Sequence, residues 1–341
     1  MRFLPRWFFR LVLLVLLVLA AVVAFAWWQV RAVPDNPHVR YGVTFSAKRA
    51  EDLFRLDWRR AYLSVLDDLK VRRLRIPAYW DRIEKESGAY DWAELDFQMK
   101  EAETRNASVL LAVGLRLPGW PECHMPDWVK SLNTAEREAK ILAFIERAVE
   151  RYKPSRAVWA WQVENEPFLF GFGECPALDV QFLDKEIALV RTLDDRAVVI
   201  TDSGELGRWI RPARRADIFG TTMYRTVWDR RVGYVHYPMG PVFFRIKAWI
   251  AQHIVRVKRI IVAELQAEPW GPKQIPEISI EEMAKSMNVE KFRDIIRFEQ
   301  ETGFDEVYWW GVEWWYWMKM RQGKPEMWEE AARLFVQQSR R

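Results

Sequence analysis

Residues 159–167 read W-A-W-Q-V-E-N-E-P, an apolar, tryptophan-rich run that ends on a polar Asn-Glu-Pro triplet. A short apolar run bounded by proline is typical of a buried strand. A second segment, about a hundred residues later, has the same form, since residues 259–263 are followed by Glu264 in I-I-V-A-E-L-Q. The sequence therefore predicts two strands that each end on a glutamate, Glu166 in the first and Glu264 in the second.

These two segments belong to an alternation of short apolar runs and longer amphipathic runs that repeats eight times. The predicted strands are residues 39–45, 72–77, 109–114, 158–163, 197–201, 218–223, 259–263 and 306–311. The predicted helices are residues 50–70, 91–106, 134–152, 177–193, 204–215, 239–256, 280–302 and 325–338. Eight strictly alternating units indicate a parallel sheet closed into an α/β (β/α)8 barrel, the TIM barrel. The alternative is an open doubly wound sheet, but no glycine-rich phosphate loop follows a strand.

Three of the predicted helices begin with a capping signal. In each case a capping residue is followed three positions later by glutamate. The pairs are Asp91 with Glu94, Asn133 with Glu136, and Ser279 with Glu282. We expect a capping box at each of these helix starts.

The first 31 residues form a separate unit with the pattern of a signal anchor, a transmembrane helix that is not removed. An uncharged run of 18 residues, 11–28, follows Arg2, Arg6 and Arg10. Such a run is long enough to cross a bilayer, and the arginines predict a cytoplasmic N-terminus and an extracytoplasmic remainder. The alternative is a signal peptide cleaved near Ala26, which would release a secreted protein. We predict a cytoplasmic tip and anchor over residues 1–31, a linker over 32–37 and one catalytic domain over 38–341, and we expect a monomer.

The basic character of the chain comes largely from this leader. Of the 52 lysines and arginines, four lie in the first 31 residues without any acid, and the other 48 nearly balance the 47 acidic residues. We see no basic stripe along the chain that would indicate a nucleic-acid partner.

The two strand-end glutamates predict a catalytic carboxylate pair. In a (β/α)8 barrel the chemistry lies where strands end, so Glu166 on the fourth strand and Glu264 on the seventh would face the same mouth. Two carboxyl groups about 5 to 5.5 Å apart can cleave a glycosidic bond with retention, without a metal or a cofactor. Arg75, Asn165 and Tyr224 are suitable hydrogen-bond donors at strand ends. The alternative for each glutamate is a buried ion pair with a barrel arginine.

Other glutamates near strand ends compete for these roles. Glu164 is the strongest, because residues two apart on a strand face the same way. We therefore expect its side chain to share the barrel interior with Glu166, one layer deeper. The remaining candidates are Glu84, Glu268 and Glu313.

The loop after the third strand, residues 115–128, reads L-R-L-P-G-W-P-E-C-H-M-P-D-W and is either a substrate wall or a well-packed structural loop. Its Cys123 and the later Cys175 are the two cysteines of the chain, and both lie on loops at the same barrel face. In an exported protein we expect them to form a disulfide. A metal site with His124 is a weaker alternative, since the spacing does not match a zinc site.

A second aromatic segment, residues 307–317, reads V-Y-W-W-G-V-E-W-W-Y-W, and tryptophan accounts for 20 residues of the chain. Flat aromatic faces can bind sugar rings through their C–H surfaces. We expect part of this segment to face the cleft, and the alternative is that it only closes the end of the barrel.

From residue 38 to its end the chain resembles the clan A glycoside hydrolases, the retaining (β/α)8 superfamily that includes glycoside hydrolase families 5, 39 and 42. The resemblance lies in Asn165-Glu166, in Glu264, and in L-R-I-P-A-Y-W-D-R-I-E (74–84) followed by G-A-Y-D-W-A-E-L-D (88–96). It implies that Glu166 is the acid/base and Glu264 the nucleophile.

The resemblance also implies roles for neighbouring residues. Arg75 would hold the nucleophile ionised, Tyr224 would contact it, and Trp310 would lie under the sugar in subsite −1. Further candidates for substrate binding or support are Trp80, Arg116, Trp120 and Asn165. Many family 5 members have histidines at two positions where this chain has Arg116 and Thr222.

The sequence thus predicts a membrane-anchored, outward-facing retaining β-glycoside hydrolase that acts on a carbohydrate substrate and needs no cofactor or metal. Two other functions use the same features. A membrane-tethered barrel could bind glycans without cleaving them, and a transglycosylase would share every residue of the hydrolase. Neither the sugar nor endo versus exo action follows from the residues.

Overall fold

The computed structural model describes residues 6–32 and 39–339. The linker predicted over residues 32–37 lies outside the described residues, except for Ala32, which ends the first helix. This helix, α1 (Arg6–Ala32), is continuous through the alternative cleavage position near Ala26. Its first 20 residues, Arg6–Phe25, have a mean hydropathy of 3.0 and none of this window is buried. By length and composition α1 could cross a membrane, a property that it shares with signal sequences.

Eight parallel strands close into a barrel. They are β1 (Arg40–Thr44), β2 (Arg73–Pro77), β3 (Ser108–Val113), β4 (Val158–Val163), β5 (Ala197–Asp202), β6 (Ile218–Met223), β9 (Arg259–Gln266) and β10 (Glu306–Trp310). Their order around the barrel is β1-β10-β9-β6-β5-β4-β3-β2. The predicted (β/α)8 barrel is confirmed, and the predicted strands agree to within one residue except that β9 extends three residues further. An antiparallel hairpin that was not predicted, β7 (Thr226–Asp229) and β8 (Gly233–His236), follows β6.

Helices cover the outside of the barrel. They are α2 (Trp58–Asp67), α3 (Trp80–Ile83), α4 (Ala93–Thr104), α5 (Thr134–Tyr152), α6 (Val180–Leu193), α7 (Ile210–Ala213), α8 (Pro241–Ile250), α9 (Ile280–Ala284), α10 (Val289–Gln300), α11 (Val312–Arg321) and α12 (Glu326–Ser339). Shorter turns of 3-10 helix occur at Asp127–Ser131 and Ile275–Glu277, and of π-helix at Arg49–Leu53 and Ala251–Val255.

Two long predicted helices are each divided by a capping residue. The helix predicted over 50–70 is interrupted at Asp57, whose carboxylate accepts the amides of Arg59 and Arg60 and begins α2. The helix predicted over 280–302 is interrupted at Asn288, which caps α10. A side chain that accepts amide hydrogen bonds satisfies the free N–H groups of a new helix start, so the chain can bend there at little cost.

The three predicted capping boxes have different outcomes. The box of Asn133 with Glu136 is complete at the start of α5. Ser279 accepts the amide of Glu282. The third prediction is wrong, because α4 begins two residues after the predicted start at 91, and Asp91 accepts the amide of Ala93 instead.

Two further predictions differ from the structure. Of the helix predicted over 204–215 only α7 forms, because Asp202 accepts the amide of Trp209 and holds the preceding residues in a turn. The aromatic segment 307–317 is not a single strand, since β10 ends at Trp310, Gly311 has a φ of +117°, and α11 follows. Positive φ is readily adopted by glycine and breaks the strand direction.

The core has two layers. Inside the barrel one cluster of buried apolar side chains consists of Leu110, Ala160, Val199, Ile218, Ile261 and Tyr308. A larger apolar layer lies between the strands and the helices. The apolar filling of the interior leaves the carboxyl ends of the strands as the place where polar side chains can collect.

Candidate active site

Glu264 lies inside β9, two residues before the strand ends, and points into the mouth of the barrel. Its carboxylate oxygens have one charged and one neutral donor: Arg75 Nη1 donates to Oε1 at 2.7 Å, and the Tyr224 hydroxyl donates to Oε2 at 2.9 Å. The side chain is 4% exposed. Burial raises the pKa of Tyr224 well above its usual range, so its hydroxyl keeps the proton that it donates. This environment suits an ionised carboxylate.

Arg75, in the middle of β2, joins the two halves of the site. Besides Glu264, its guanidinium donates from Nε to Gln162 Oε1 and from Nη2 to Asn165 Oδ1, both at 2.7 Å. The side chain is fully buried. A planar guanidinium with all its donors engaged fixes the relative position of the groups that it contacts. Arg75 therefore fixes the position of Glu264 on β9 relative to Gln162 and Asn165 at the end of β4.

Glu166 reaches the mouth from the turn after β4. Its φ of +43° turns the chain back toward the barrel axis. Its amide donates to Thr201 Oγ1 at 2.8 Å, and the Thr222 hydroxyl donates to its Oε1 at 3.2 Å. Burial raises the pKa of Glu166 well above the usual range, and the nearby Glu264 and Glu122 raise it further. Glu166 thus has the environment of a carboxyl group that holds its proton to a higher pH than usual.

Glu164 does not share the barrel interior with Glu166, so that prediction is wrong. Its carboxylate accepts the backbone amides of Leu115 and Arg116 at 2.6 and 2.7 Å. It also interacts with Glu186 of the outer helix α6. The alternation of side chains along a strand does not extend to it, because β4 ends at Val163 and Glu164 has a φ of +57°. Glu164 therefore joins the turn after β4 to the start of the loop after β3, outside the barrel.

A third carboxyl group, Glu122, lies in the site and was not predicted. It is 4% exposed, and Asn165 Nδ2 donates to its Oε2 at 3.2 Å. Burial and then the proximity of Glu264 raise the pKa of Glu122 to about 8. The only sequence signal was its place beside Cys123, because a loop residue carries no strand position from which its direction can be inferred.

The predicted disulfide between Cys123 and Cys175 is confirmed, with Cα atoms 5.2 Å apart. It joins the loop after β3 to the loop after β4. Arg116 reinforces the same connection, since its guanidinium donates to the carbonyls of Leu169 and Phe172 at 3.2 and 3.1 Å. Because Cys123 is bonded to Cys175, it is not a free thiolate for the metal site considered with His124. Within residues 6–32 and 39–339, no group of three or more His, Cys, Asp or Glu is placed to hold a metal.

We expect the double substitution Cys123→Ser and Cys175→Ser to lower the free energy of unfolding by about 2 to 4 kcal/mol, because the bridge closes a long loop in the unfolded chain. Urea unfolding of the variant and the wild type would measure the difference. Adding a reductant to the wild type should reproduce it, and should leave the variant unchanged. Equal unfolding free energies in oxidised wild type and variant would contradict the expectation.

An aromatic chain lines the mouth between the loops after β3, β4 and β9. Trp120 is 58% exposed and its ring meets Phe172 with centroids 6.1 Å apart. Phe172 stacks on Trp270 at 6.0 Å, and Trp270 contacts Tyr224 at 5.7 Å. These contacts connect the surface to the tyrosine that binds Glu264. Phe172 and Trp270 were not singled out in the sequence, because each lies in a loop without a strand pattern.

The remaining predicted tryptophans have different surroundings. Trp310 ends β10, donates to Glu268 Oε1 at 2.8 Å, and lies 4.7 Å from the Arg49 guanidinium that covers its ring. Trp80 lies away from the carboxylates. It is fully buried, donates to Glu84 Oε2, and stacks on Phe144 of α5. Because it starts a helix on the outer side of the barrel, it supports the fold and not the mouth. The tryptophans of α11 are also buried core residues.

No family model matches the sequence, and no curated protein matches it. Solved structures do match in fold. A β-galactosidase from the Antarctic haloarchaeon Halorubrum lacusprofundi is 16% identical, with a TM-score of 0.57 over 88% of this chain and 58% of that one. A GH5_18 protein of Bifidobacterium longum subsp. longum is 12% identical, with a TM-score of 0.60 over 88% and 79%. A GH10 endoxylanase from a sugarcane soil metagenome is 14% identical, with a TM-score of 0.58 over 87% and 97%.

The chain spans only 57% to 59% of the length of the three β-galactosidases that it resembles. The likeness at these identities concerns the fold, since the same barrel serves many activities. Three groups of glycoside hydrolases share it with this chain, and their common architecture is the closed eight-stranded parallel barrel described above. The chain therefore has the closed (β/α)8 barrel fold of these glycoside hydrolases.

Proposed function

We propose that this protein is a retaining β-glycoside hydrolase, with Glu264 as the nucleophile and Glu166 as the acid/base. The observation that supports this most is the difference between the surroundings of the two carboxyl groups. Glu264 is held by Arg75 and Tyr224, whereas the buried carboxyl of Glu166 accepts a hydrogen bond from the Thr222 hydroxyl and has a pKa well above the usual range. Double displacement requires two carboxyl groups whose environments differ in this way.

In the first step a Glu264 oxygen attacks the anomeric carbon while the bond to the leaving oxygen breaks. Glu166 gives its proton to that oxygen, and a glycosyl ester remains on Glu264. In the second step Glu166, now ionised, takes a proton from water as the water oxygen attacks the anomeric carbon. The ester bond breaks, Glu264 regains its negative charge, and Glu166 is protonated again. Thr222 remains within hydrogen-bond distance of Glu166 and orients it for both proton transfers.

The substrate class is a poly- or oligosaccharide outside the cytoplasm. The rings of Trp120, Phe172 and Trp270 form an apolar wall that leads from the surface to the Tyr224–Glu264 pair, as the stacking of sugar rings requires. The apolar helix α1 supports an anchored protein whose barrel lies outside the membrane.

A panel of substrates would test the proposal. The similar structures are a β-galactosidase, an endoxylanase and a GH5_18 protein, which in one case is in complex with Manβ1-4GlcNAc. Aryl β-galactosides, β-xylosides, β-mannosides and β-glucosides, together with xylan and other polysaccharides, therefore form the panel. The wild type should release product from at least one of them, and a Glu264→Gln variant should not. Equal release of product by the wild type and the variant would refute the assignment of the protein as a hydrolase.

We expect Glu122→Gln to move the basic limb of the pH profile of kcat/KM toward lower pH, by up to about one pH unit. Activity requires protonated Glu166 and is lost as the pH rises through its pKa. Glu122 has a pKa of about 8, and above that pH its negative charge raises the pKa of Glu166. Removal of this charge therefore lets Glu166 lose its proton at lower pH. Profiles measured on an aryl glycoside would show the shift, and a basic limb that stays in place or moves upward would contradict this expectation.

A further inference from the structure

The helix α8 differs from α5 in where its charged side chains lie. Its two charged residues point into the protein: Arg245 is buried and donates to the carbonyl of Glu301, and Lys247 Nζ donates to the carbonyls of Gly204 and Gly207 at 2.6 and 2.8 Å. The helix α5, by contrast, exposes charged residues such as Glu136, Lys140, Glu146, Arg147 and Glu150.

The outer side of α8 and its π-helical extension is apolar. The partly exposed side chains are Val242, Phe243, Ile246, Trp249 and Ile250. Ile254 of the extension is 64% exposed. Positions 243, 246, 250 and 254 recur at helical spacing, so they form one stripe. We call this stripe, together with the neighbouring α7, the α8 face.

The short helix α7 extends the apolar surface, because it contacts the π-helical turn that contains Ile254. Its Ile210 is 39% exposed, and Leu206 in the preceding turn is 63% exposed. Large apolar side chains that are exposed together, rather than singly, mark a surface that another partner covers.

Basic residues surround this surface. Segments 206–216 and 241–258 together contain eight lysines and arginines and no aspartate or glutamate. The exposed ones among them are Arg208, Arg211, Arg214, Arg256 and Lys258. The sequence shows no basic stripe along the chain because two separate segments contribute, and only the fold brings them together.

The apolar helix α1 ends against the same face. Phe25, the last residue of its most hydrophobic window, packs on Trp249 with ring centroids 5.1 Å apart. In a helix that crosses a bilayer, Trp and Tyr residues lie at the membrane interface, and Trp27 and Trp28 follow Phe25 closely in α1. Phe25 therefore brings Trp249, and the stripe next to it, to the level of the lipid headgroups.

We propose that the α8 face is a membrane-contacting surface that lies on an anionic lipid bilayer, with its apolar stripe in the headgroup region and its arginines and lysines on the lipid phosphates. An apolar stripe flanked by Lys and Arg is the pattern of an in-plane interfacial helix. This proposal shares one premise with the proposed function, namely that α1 holds the barrel at a membrane. It uses no catalytic group.

The full chain, reconstituted in vesicles, would test this with an environment-sensitive fluorophore on Ile254→Cys, since both native cysteines are bonded to each other. The matched control is Met320→Cys, because Met320 is 55% exposed at the end of α11 on another side of the barrel. In phosphatidylglycerol vesicles with headgroup nitroxide lipids, the probe at 254 should be quenched at least about threefold more than the probe at 320, because an interfacial helix lies roughly 5–10 Å deep.

Two further measurements separate the lipid from other partners. Quenching at position 254 should weaken in phosphatidylcholine vesicles, and also when Arg208, Arg211 and Arg214 are replaced by glutamine. An unchanged thermal unfolding midpoint would show that these variants are folded. Equal quenching at 254 and 320, or none at either, would overturn the proposal. The proposal would also be overturned if the fluorescence of the probe at 254 changed with the number of protein molecules per vesicle but was not quenched by the nitroxide lipids. That result would assign the α8 face to contact with a second copy of the chain. If the wild-type protein shows the quenching at 254 but no glycosidase activity, the proposed function is refuted and the membrane-contacting α8 face is not.

Discussion

Glu264→Gln is expected to lower kcat/KM for a responsive aryl β-glycoside by about 10⁴-fold or more, because the covalent route is lost with the nucleophile. The amide keeps the size of the side chain and can still contact Arg75 and Tyr224, so the barrel should remain folded. Steady-state rates of the purified variant would measure the loss, and an unchanged unfolding midpoint would show that the fold is intact.

Glu299→Gln is the matched control for this loss. Glu299 is also fully buried, but it lies on α10 with Tyr41 as its partner, far from the mouth. We expect its replacement to leave kcat unchanged. A loss of similar size in both variants would mean that the effect comes from disturbed packing, and would contradict the assignment of Glu264.

Glu166→Ala is expected to give a loss that depends on the leaving group. With a poor leaving group, which needs the proton, the rate should fall by about 10²- to 10⁴-fold. With an activated leaving group, such as a dinitrophenolate, formation of the glycosyl ester should be almost unaffected and its hydrolysis should become slow. The measurement is a comparison of burst and steady-state rates for two aryl glycosides of the same sugar.

Azide provides the second part of this test. A small anion can occupy the space of the removed carboxylate and attack the ester without base assistance, so azide should accelerate turnover and give a β-glycosyl azide. The same treatment of Glu166→Gln should give less acceleration, because the amide leaves little space. Equal losses for both leaving groups, without rescue by azide, would contradict the role of Glu166 as acid/base.

The fold could be predicted because every barrel strand is a short apolar run with a clear end. Glu264, Arg75 and Tyr224 are together in the structure as the sequence suggested. Glu264 and Arg75 lie within their strands and not at the strand ends, since β9 extends three residues beyond its predicted end and Arg75 is in the middle of β2. The disulfide followed from two cysteines on loops at one face.

The parts of the site that were missed or misplaced depend on backbone conformations that leave the strand pattern. Glu164 was placed in the barrel interior on the assumption that the strand continues, but its left-handed φ turns the carboxylate to the loop amides. Glu122 enters the site from a loop, and its contact with Asn165 exists only after the loop closes. Trp80 lies in the segment 74–84, which resembles the clan A enzymes, and was therefore a candidate for substrate binding or support. It starts a helix and is buried on the outer side of the barrel.

In the proposed mechanism Glu264 becomes covalently bound to the sugar. The most direct test is incubation with a mechanism-based epoxide of the sugar configuration that the substrate panel selects, followed by intact mass and peptide mapping. We predict the addition of one inhibitor molecule, located on Glu264 in the peptide that contains I-I-V-A-E-L-Q. Inhibitor bound to another residue, or no addition by a protein that still hydrolyses the glycoside, would contradict it.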